Sequence, residues 1–177
     1  MQPKGTRANA NGGKEVLHPV HVIIPATQPL PNLKDSVRYL LRRTRLALKA
    51  DAATVLLFDD TLLRLKPIVF DGLTELEPGF LSPLGKSIVG QIADNRNGLI
   101  FHTAGELHVI SRGKRNTAKS IAGVPLRIGN RVLGVLCVAS LATPIFEEQD
   151  LLILGLVAER ATAAIERELV LEAEDAC

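Results

Sequence analysis

The sequence predicts one α+β domain: an antiparallel sheet of five or six strands flanked by helices, with long helices near both ends. Its 177 residues suffice for one domain with a substantial core. Two segments, one near each end of the chain, repeat apolar residues at the helical spacing of three and four. The shorter apolar or alternating segments between them are bounded by turn residues, which is typical of strands. Because short turns join neighbouring strands antiparallel, we expect such a sheet, with the helices gathered on one face.

Composition argues against several classes of function. The chain is 46% apolar but has no Trp, one Tyr and five Phe, so we expect an aliphatic core. The formal net charge is only +2, and aromatic residues do not alternate with basic ones, so no nucleic acid partner is expected. Apolar segments all end well short of the ~18 residues that span a bilayer, so no membrane partner is expected. Cys137 and Cys177 lack the spacing of a disulfide framework, which favours a reducing, cytoplasmic location.

The chain divides into an N-terminal tail, residues 1–31, a domain, residues 32–172, and a C-terminal tail, residues 173–177. Four prolines between residues 19 and 31 prevent a continuous helix in the first segment. The apolar run at residues 20–24 is compatible with an additional edge strand. Basic residues cluster at 38–49 and 112–119. Two interpretations remain open: the clusters are solvent-exposed faces, or they contact an acidic protein partner.

The domain begins with a helix that Asn32 caps, with Asp35 in the acidic position of a capping box. An antiparallel hairpin follows, with strands at 54–58 and 62–70 joined through a turn. Pro67 has no amide hydrogen, so the second of these strands is predicted to be an edge strand or bulged.

In the rest of the domain, most segments have a clear secondary-structure pattern and one does not. A loop is expected over 71–84, a short helix over 86–95 and a brief strand over 99–101, whereas residues 103–116 have no assignable pattern. Two strong strands are predicted at 120–128 and 132–140; the Gly129-Asn130 turn between them allows positive φ at both central residues.

The last predicted element is a long helix capped by Thr143-Pro144, with an acidic first turn that suits the helix dipole. Its apolar stripe, from Leu151 to Leu169, is longer than one sheet face requires. A second helical partner is therefore expected.

Three segments resemble motifs of the GAF domain family. Residues 85–100, GKSIVGQIADNRNGLI, resemble the family's middle motif, a glycine-flanked helix that leads into a short strand. Residues 120–136, SIAGVPLRIGNRVLGVL, resemble its Val-Pro-Leu hairpin, and residues 146–152, FEEQDLL, resemble the start of its last helix. The resemblance covers about residues 33–170.

The resemblance implies a GAF/PAS-like fold whose helices pack into a homodimer and whose pocket lies on the opposite side of the sheet. In the family, that pocket often holds a cyclic nucleotide, a tetrapyrrole, an oxo acid or nothing. Residues 101–104 replace the family's Pro-x-x-Asp segment, and the Asn-Lys-x-Asp-Glu signature of cyclic-nucleotide-binding members is absent. An unidentified small-molecule ligand is therefore expected, and position alone suggests five contact residues: Phe58, Phe101, His102, Thr117 and Ser120.

No catalytic residue, metal or cofactor is expected. Cys137 is predicted inside a central strand, unlike the mobile redox thiols of free methionine sulfoxide reductases, which are GAF proteins. His102 and His108 lie six residues apart, but haem ligation is not favoured, and the Cys of bilin-binding members is missing here.

These observations predict a small-molecule-sensing and dimerising regulatory module rather than an enzyme. It would act in signal transduction through a partner chain and form a homodimer through its terminal helices. Two alternatives remain: a ligand-free dimerisation or protein-interaction domain, and a thiol-dependent free methionine sulfoxide reductase.

Overall fold

The computed structural model describes residues 32–72, 75–76, 87–102, 108–111, 114–142 and 146–175. The predicted tail at 1–31 lies outside the described residues. In chain order the elements are α1 (Leu33–Ala47), β1 (Ala52–Asp59), β2 (Arg64–Asp71), β3 (Glu75–Leu76), α2 (Ile88–Asp94), β4 (Leu99–His102), β5 (His108–Ser111), β6 (Lys114–Thr117), β7 (Ser120–Ile128), β8 (Arg131–Ser140) and α3 (Glu148–Asp175).

Five strands form one antiparallel sheet in the order β2-β1-β8-β7-β4. The antiparallel sheet expected from the short turns is confirmed. β2 is an edge strand, and its pairing with β1 shifts register beside Pro67, which pairs with Leu56 while Val69 pairs with Val55. Both expectations for Pro67 therefore hold, because an edge position and a bulge each remove the need for an amide donor.

Helix α1 begins where its cap predicts. The Asn32 side chain accepts a hydrogen bond from the Asp35 amide at 2.8 Å, which satisfies one of the free amides of the first turn.

Helix α3 begins later than expected. Its first residue is Glu148, and the Asp150 carboxylate accepts a hydrogen bond from the Glu147 amide at 2.8 Å, in the manner of the acidic half of a capping box. The predicted cap at Thr143-Pro144 is therefore wrong, and residues 143–145 lie outside the described part. At its other end α3 continues through Asp175, past the predicted boundary at residue 172. None of the helices in the described ranges has the length and apolarity needed to cross a membrane.

The β7–β8 hairpin forms the centre of the sheet. Gly129 has a φ of 57°, but Asn130 is not among the described residues with positive φ, so only the first central residue of the turn has this conformation. In β8, an added Cβ at Gly134 would collide with the carbonyl oxygen of Leu56, so glycine lets β1 lie close to β8.

A second, three-stranded antiparallel sheet has the order β3-β5-β6. It contains half of the segment 103–116, which had no assignable pattern. His108 in β5 pairs with Thr117 in β6, and Ser111 pairs with Lys114.

The five-stranded sheet separates two apolar layers. Helices α1 and α3 pack on one side, which we call the α1/α3 face, and α2 packs on the other, the α2 face. The expectation that all helices gather on one face is therefore wrong for α2. The physical reason is that β7 and β8 are apolar on both sides, so each side needs a cover.

Candidate functional site

The α2 face is the side opposite the terminal helices. On it, Ser87 caps α2 by accepting a hydrogen bond from the Gly90 amide at 3.1 Å, and Ile92 is fully buried. An added Cβ at Gly123 would come within 2.7 Å of the Ile92 side chain and 3.0 Å of Cys137 Sγ. Because α2 packs closely on β7 and β8, there is no space for another molecule between α2 and the centre of the sheet.

Two phenylalanines lie beside the strip that α2 covers. Phe58 in β1 and Phe70 in β2 are half-buried, and both pack against the apolar layer of the α2 face. Phe70 pairs with Thr54, four residues along β1 from Phe58, so the two rings are about 13 Å apart along the strands, and the fully buried Leu56 lies between their levels. This part of the face is therefore an aliphatic strip with a partly exposed ring at each end, which suits an apolar part of a ligand.

Phe70 is a residue that the sequence prediction missed. Strict alternation along β2 is broken because Ile68 is the extra residue of the bulge, with Pro67 and Val69 pairing on either side of it. Period-two counting therefore fails across this strand.

The five predicted contact residues do not meet at one site. Phe101, in β4, shares the α2 face with Phe58, but Phe101 is level with Ile121 and Ala139, whereas Phe58 follows Leu57, which pairs with Gly134. The two rings are thus separated along the strands by roughly six residues, or about 20 Å at the usual rise.

His102 and Ser120 do come together, but on the other side of the sheet. The His102 Nδ1 and Ser120 Oγ atoms are 3.2 Å apart and share a hydrogen bond. Side chains alternate along a strand, and Ile100 and Ala122, two residues away, belong to the α1/α3 layer. Ser120 is completely buried whereas His102 is exposed, so this pair closes one end of the α1/α3 layer and does not face Phe58 or Phe101.

Thr117 lies at the end of β6, in the second sheet, and is half-buried. The next residue, Ala118, is fully buried in the layer of the α2 face. Thr117 is therefore where the second sheet joins that layer. The side chain of His108 lies outside the described residues.

Cys137 is buried in β8, and burial raises the pKa of its thiol far above the usual range because a thiolate would lose its solvation. A thiol in this state is a poor nucleophile. No group of three or more metal-ligating side chains occurs in the described ranges.

An open groove lies at the far end of the α1/α3 face, away from all five predicted contacts. Its volume is about 640 Å³, and it separates the β7–β8 hairpin from the last turns of α3. Ile128 and Leu133 line one side, and Glu166, Leu169 and Val170 line the other. Sequence reasoning missed it as a groove, although the extended apolar stripe of the last helix indicated an additional contact surface there.

The family assignment follows from a match between the chain and a family model, described as GAF domain, over residues 32–166. The chain belongs to the GAF domain family, a family of sensory and regulatory modules. The match covers both layers and the whole five-stranded sheet. No curated protein matches the chain.

Solved structures with the same fold have varied roles. The GAF domain of a phosphoenolpyruvate-protein phosphotransferase from Coxiella burnetii is 20% identical, with a TM-score of 0.72 over 88% of this chain and 95% of that one. Free methionine-R-sulfoxide reductase from Neisseria meningitidis, solved with its substrate, is 21% identical, with a TM-score of 0.63 over 84% of each chain. A far-red absorbing protein with bound biliverdin IXα is 15% identical, with a TM-score of 0.60 over 85% of this chain and 98% of that one. At these identities the likeness shows the fold alone.

Proposed function

We propose that this GAF domain senses a small molecule on its α2 face and transmits the signal as a homodimer to a partner chain, without catalysing a reaction. One observation carries the ligand part of the proposal. Phe58 and Phe70, which lie about 13 Å apart along the strands, are half-buried rings at the two ends of an apolar strip beside α2, on a face whose centre is closely packed. Small-molecule sites in proteins are lined mainly by apolar and aromatic side chains that are largely in place before the ligand binds.

Similar folds support the same reading. The Neisseria reductase was solved with its substrate and the far-red absorbing protein with biliverdin, so this fold accommodates small molecules in other proteins. The predicted contact set changes, however: Phe58 stays, Phe70 joins it, and the His102–Ser120 pair leaves because it lies on the other face.

A thermal-shift screen of nucleotides, oxo acids and amino acids at millimolar concentration tests the ligand proposal. A ligand that binds only the folded state raises the melting temperature by mass action, by an amount that grows with its concentration. If no compound responds, sensing is overturned and the ligand-free dimerisation domain becomes the better description.

A pair of neighbouring residues provides the matched control. Leu57 and Phe58 are consecutive in β1 and both are half-buried, but Leu57 packs into the α1/α3 layer and Phe58 into the α2 layer. We expect Phe58→Ala to abolish the thermal response to a responding compound and Leu57→Ala to preserve it. Equal loss in both variants would place the ligand elsewhere.

The state of Cys137 argues against the reductase alternative. In a Cys177→Ser variant we expect no reaction of the native chain with a thiol reagent and one equivalent after unfolding, because Cys137 is sealed in the sheet. Reduction of free methionine sulfoxide that Cys137→Ala abolishes would overturn the non-enzymatic assignment.

A further inference from the structure

A row of side chains crosses the α2 face near the β7–β8 turn. Phe58 in β1, Val132 in β8 and Arg127 in β7 lie on three adjacent strands. All three lie just beyond the level of Gly134, toward the turn, since Gly134 pairs with β1 on one side and with β7 on the other. Neighbouring strands are about 4.8 Å apart, so the backbones of Phe58 and Arg127 are about 10 Å apart.

Arg127 faces the same side of the sheet as the two apolar residues of the row. It pairs with Val132, and residues directly opposite each other in an antiparallel pair point to the same side. Val132 and Phe58 both pack against the apolar layer of the α2 face. The neighbours of Arg127 in β7, Leu126 and Ile128, pack in the α1/α3 layer, so the alternation along β7 also places Arg127 on the α2 face.

One asparagine holds two guanidinium groups at this end of the row. The Arg127 Nη2 atom donates to the Asn130 carbonyl oxygen at 3.0 Å, and the Arg96 Nη2 atom donates to Asn130 Oδ1 at 3.2 Å. Both arginines are therefore anchored at the β7–β8 turn, although Arg96 follows α2 and Arg127 belongs to β7. Each bond uses one of several N–H groups, so most donors of each guanidinium remain available to a ligand.

The two positive charges are not neutralised within the described part of the chain. Neither Arg96 nor Arg127 forms an ion pair with a described residue. Asp94 lies two residues before Arg96 but is exposed at the end of α2. Asp59 follows Phe58 and therefore points to the opposite side of the sheet, where its carboxylate accepts hydrogen bonds from amides of its own turn. Two cations that are anchored on one residue without a counter-charge attract an anion.

The row thus combines an acid-binding end with an apolar end. A guanidinium donates two parallel hydrogen bonds to a carboxylate or a phosphate, which an ammonium or an amide cannot match. Val132 and Phe58 are half-buried and lie within about 10 Å of Arg127, so they offer apolar surface to the rest of the same ligand. Apolar lining with a few polar groups that fix orientation is typical of small-molecule sites.

We propose that the ligand of the α2 face is a small organic anion whose acid group binds Arg127 and Arg96 and whose apolar part lies on Val132 and Phe58. This inference rests on the small-molecule site of the proposed function, and it specifies the chemical class of the ligand and the end of the apolar strip where it binds. Carboxylates and phosphate monoesters share the required chemistry, so both are included in the test.

Thermal-shift titration of the full chain with matched acids and neutral compounds tests the class of ligand. The probes are 3-phenylpropionate with its amide, 2-phenylethyl phosphate with 2-phenylethanol, and inorganic phosphate alone, all at constant ionic strength. We expect both phenyl acids to raise the melting temperature with increasing concentration and their neutral counterparts to have little effect, because an uncharged group forms weaker hydrogen bonds with a guanidinium. Inorganic phosphate should give a smaller shift than the phenyl acids, since it lacks the apolar part.

Neighbouring arginines provide the variants and their matched control. Arg127→Gln and Arg96→Gln are each expected to weaken the binding of 3-phenylpropionate about tenfold, because each removes a charge-assisted hydrogen bond. Arg131→Gln removes the same charge from the residue after the turn, but Arg131 lines the groove on the α1/α3 face, so binding should be unchanged. Phe58→Ala should weaken the binding of both phenyl acids and leave that of inorganic phosphate unchanged, which separates the apolar part of the site from the acid-binding part.

The outcomes separate this inference from the proposed function. Neutral compounds that respond as strongly as their acids, or equal weakening by Arg127→Gln and Arg131→Gln, overturn the anion site and leave a small-molecule site on the α2 face. If the phenyl acids fail but another compound of the wider screen responds, the same variants decide: a response that Arg127→Gln leaves intact overturns the anion site. No response to any compound overturns both proposals. The substituted side chains are exposed or half-buried, so ligand-free melting temperatures near that of the wild type verify that the variants are folded.

Discussion

The two faces of the sheet bury apolar surface in different ways. Over the middle of the sheet the α1/α3 face is aliphatic and closed: Leu41, Leu136 and Leu154 are completely buried, and among the described residues of this layer the one aromatic ring is that of Phe146. The α2 face has three of the five phenylalanines of the chain, Phe58, Phe70 and Phe101, and all three are half-buried. One face thus buries large aliphatic side chains completely, whereas the other keeps aromatic side chains partly exposed.

The largest expected difference between the faces is in the free energy of unfolding that is lost when a side chain is truncated to alanine. Leu154→Ala is expected to lower the free energy of unfolding by about 3–4 kcal/mol, because it leaves a cavity between α3 and the sheet. Phe58→Ala should cost about 1–2 kcal/mol, since a half-buried ring loses less burial than an enclosed one. Chemical denaturation measures both values. Equal losses of unfolding free energy in the two variants would show that the α2 face is as closely packed as the α1/α3 face. The contrast between the two faces would then be wrong.

The sheet itself supports both faces, and at Gly134 its strands leave no space for a side chain. Gly134→Ala is expected to lower the free energy of unfolding by about 2–3 kcal/mol, because the new methyl group collides with the Leu56 carbonyl oxygen and forces β1 away from β8. Gly155→Ala is the matched control. Nothing lies within 4 Å of an added Cβ there, and alanine suits the interior of α3, so a gain of about 0.5–1 kcal/mol is expected. Destabilisation by Gly155→Ala comparable to that of Gly134→Ala would contradict this reading.

The smallest expected effect concerns a polar group inside the aliphatic layer of the α1/α3 face. Thr162 in α3 is buried, and its hydroxyl has no hydrogen-bond partner among the described residues. Thr162→Val keeps the shape and removes the unsatisfied hydroxyl, so we expect the melting temperature to stay the same or rise, by an amount equivalent to at most about 1 kcal/mol. Thr162→Ser, which keeps the hydroxyl and loses a methyl group, should be less stable than the wild type. A clear loss in Thr162→Val would show that the hydroxyl has a stabilising partner.

The candidate site was only partly predictable from sequence. The prediction that Phe58 lies in a strand is confirmed, because its segment is a short apolar run that ends at the Asp59-Asp60 turn signal. His102 and Ser120 were grouped with Phe58 and Phe101 because they are near in sequence to the pocket-side segment, yet consecutive residues in a strand face opposite sides. Phe70 was missed because the bulge at Ile68 shifts the alternation by one residue, and a bulge depends on the pairing partner.

The same contrast separates the two hairpins. The β7–β8 hairpin was predictable because it has two long apolar strands and a glycine-containing turn. The β5–β6 hairpin has strands of only four residues and belongs to a separate small sheet with β3, which comes more than thirty residues earlier in the chain. A short strand without its own apolar pattern is stabilised by its distant partner rather than by its own sequence.

The sequence by itself determined the local structure of this protein: the Asn32 cap, the edge position of Pro67, the β7–β8 turn, the aliphatic composition of the core and the resemblance to GAF domains. These features depend on interactions between residues a few positions apart, which composition and spacing specify. Only the tertiary structure decided which face each helix covers, which side of the sheet the His102–Ser120 pair faces, and how far Phe58 lies from Phe70 and Phe101. Those features depend on strand pairing and helix packing between distant segments, and their register and sides are set by the whole fold at once.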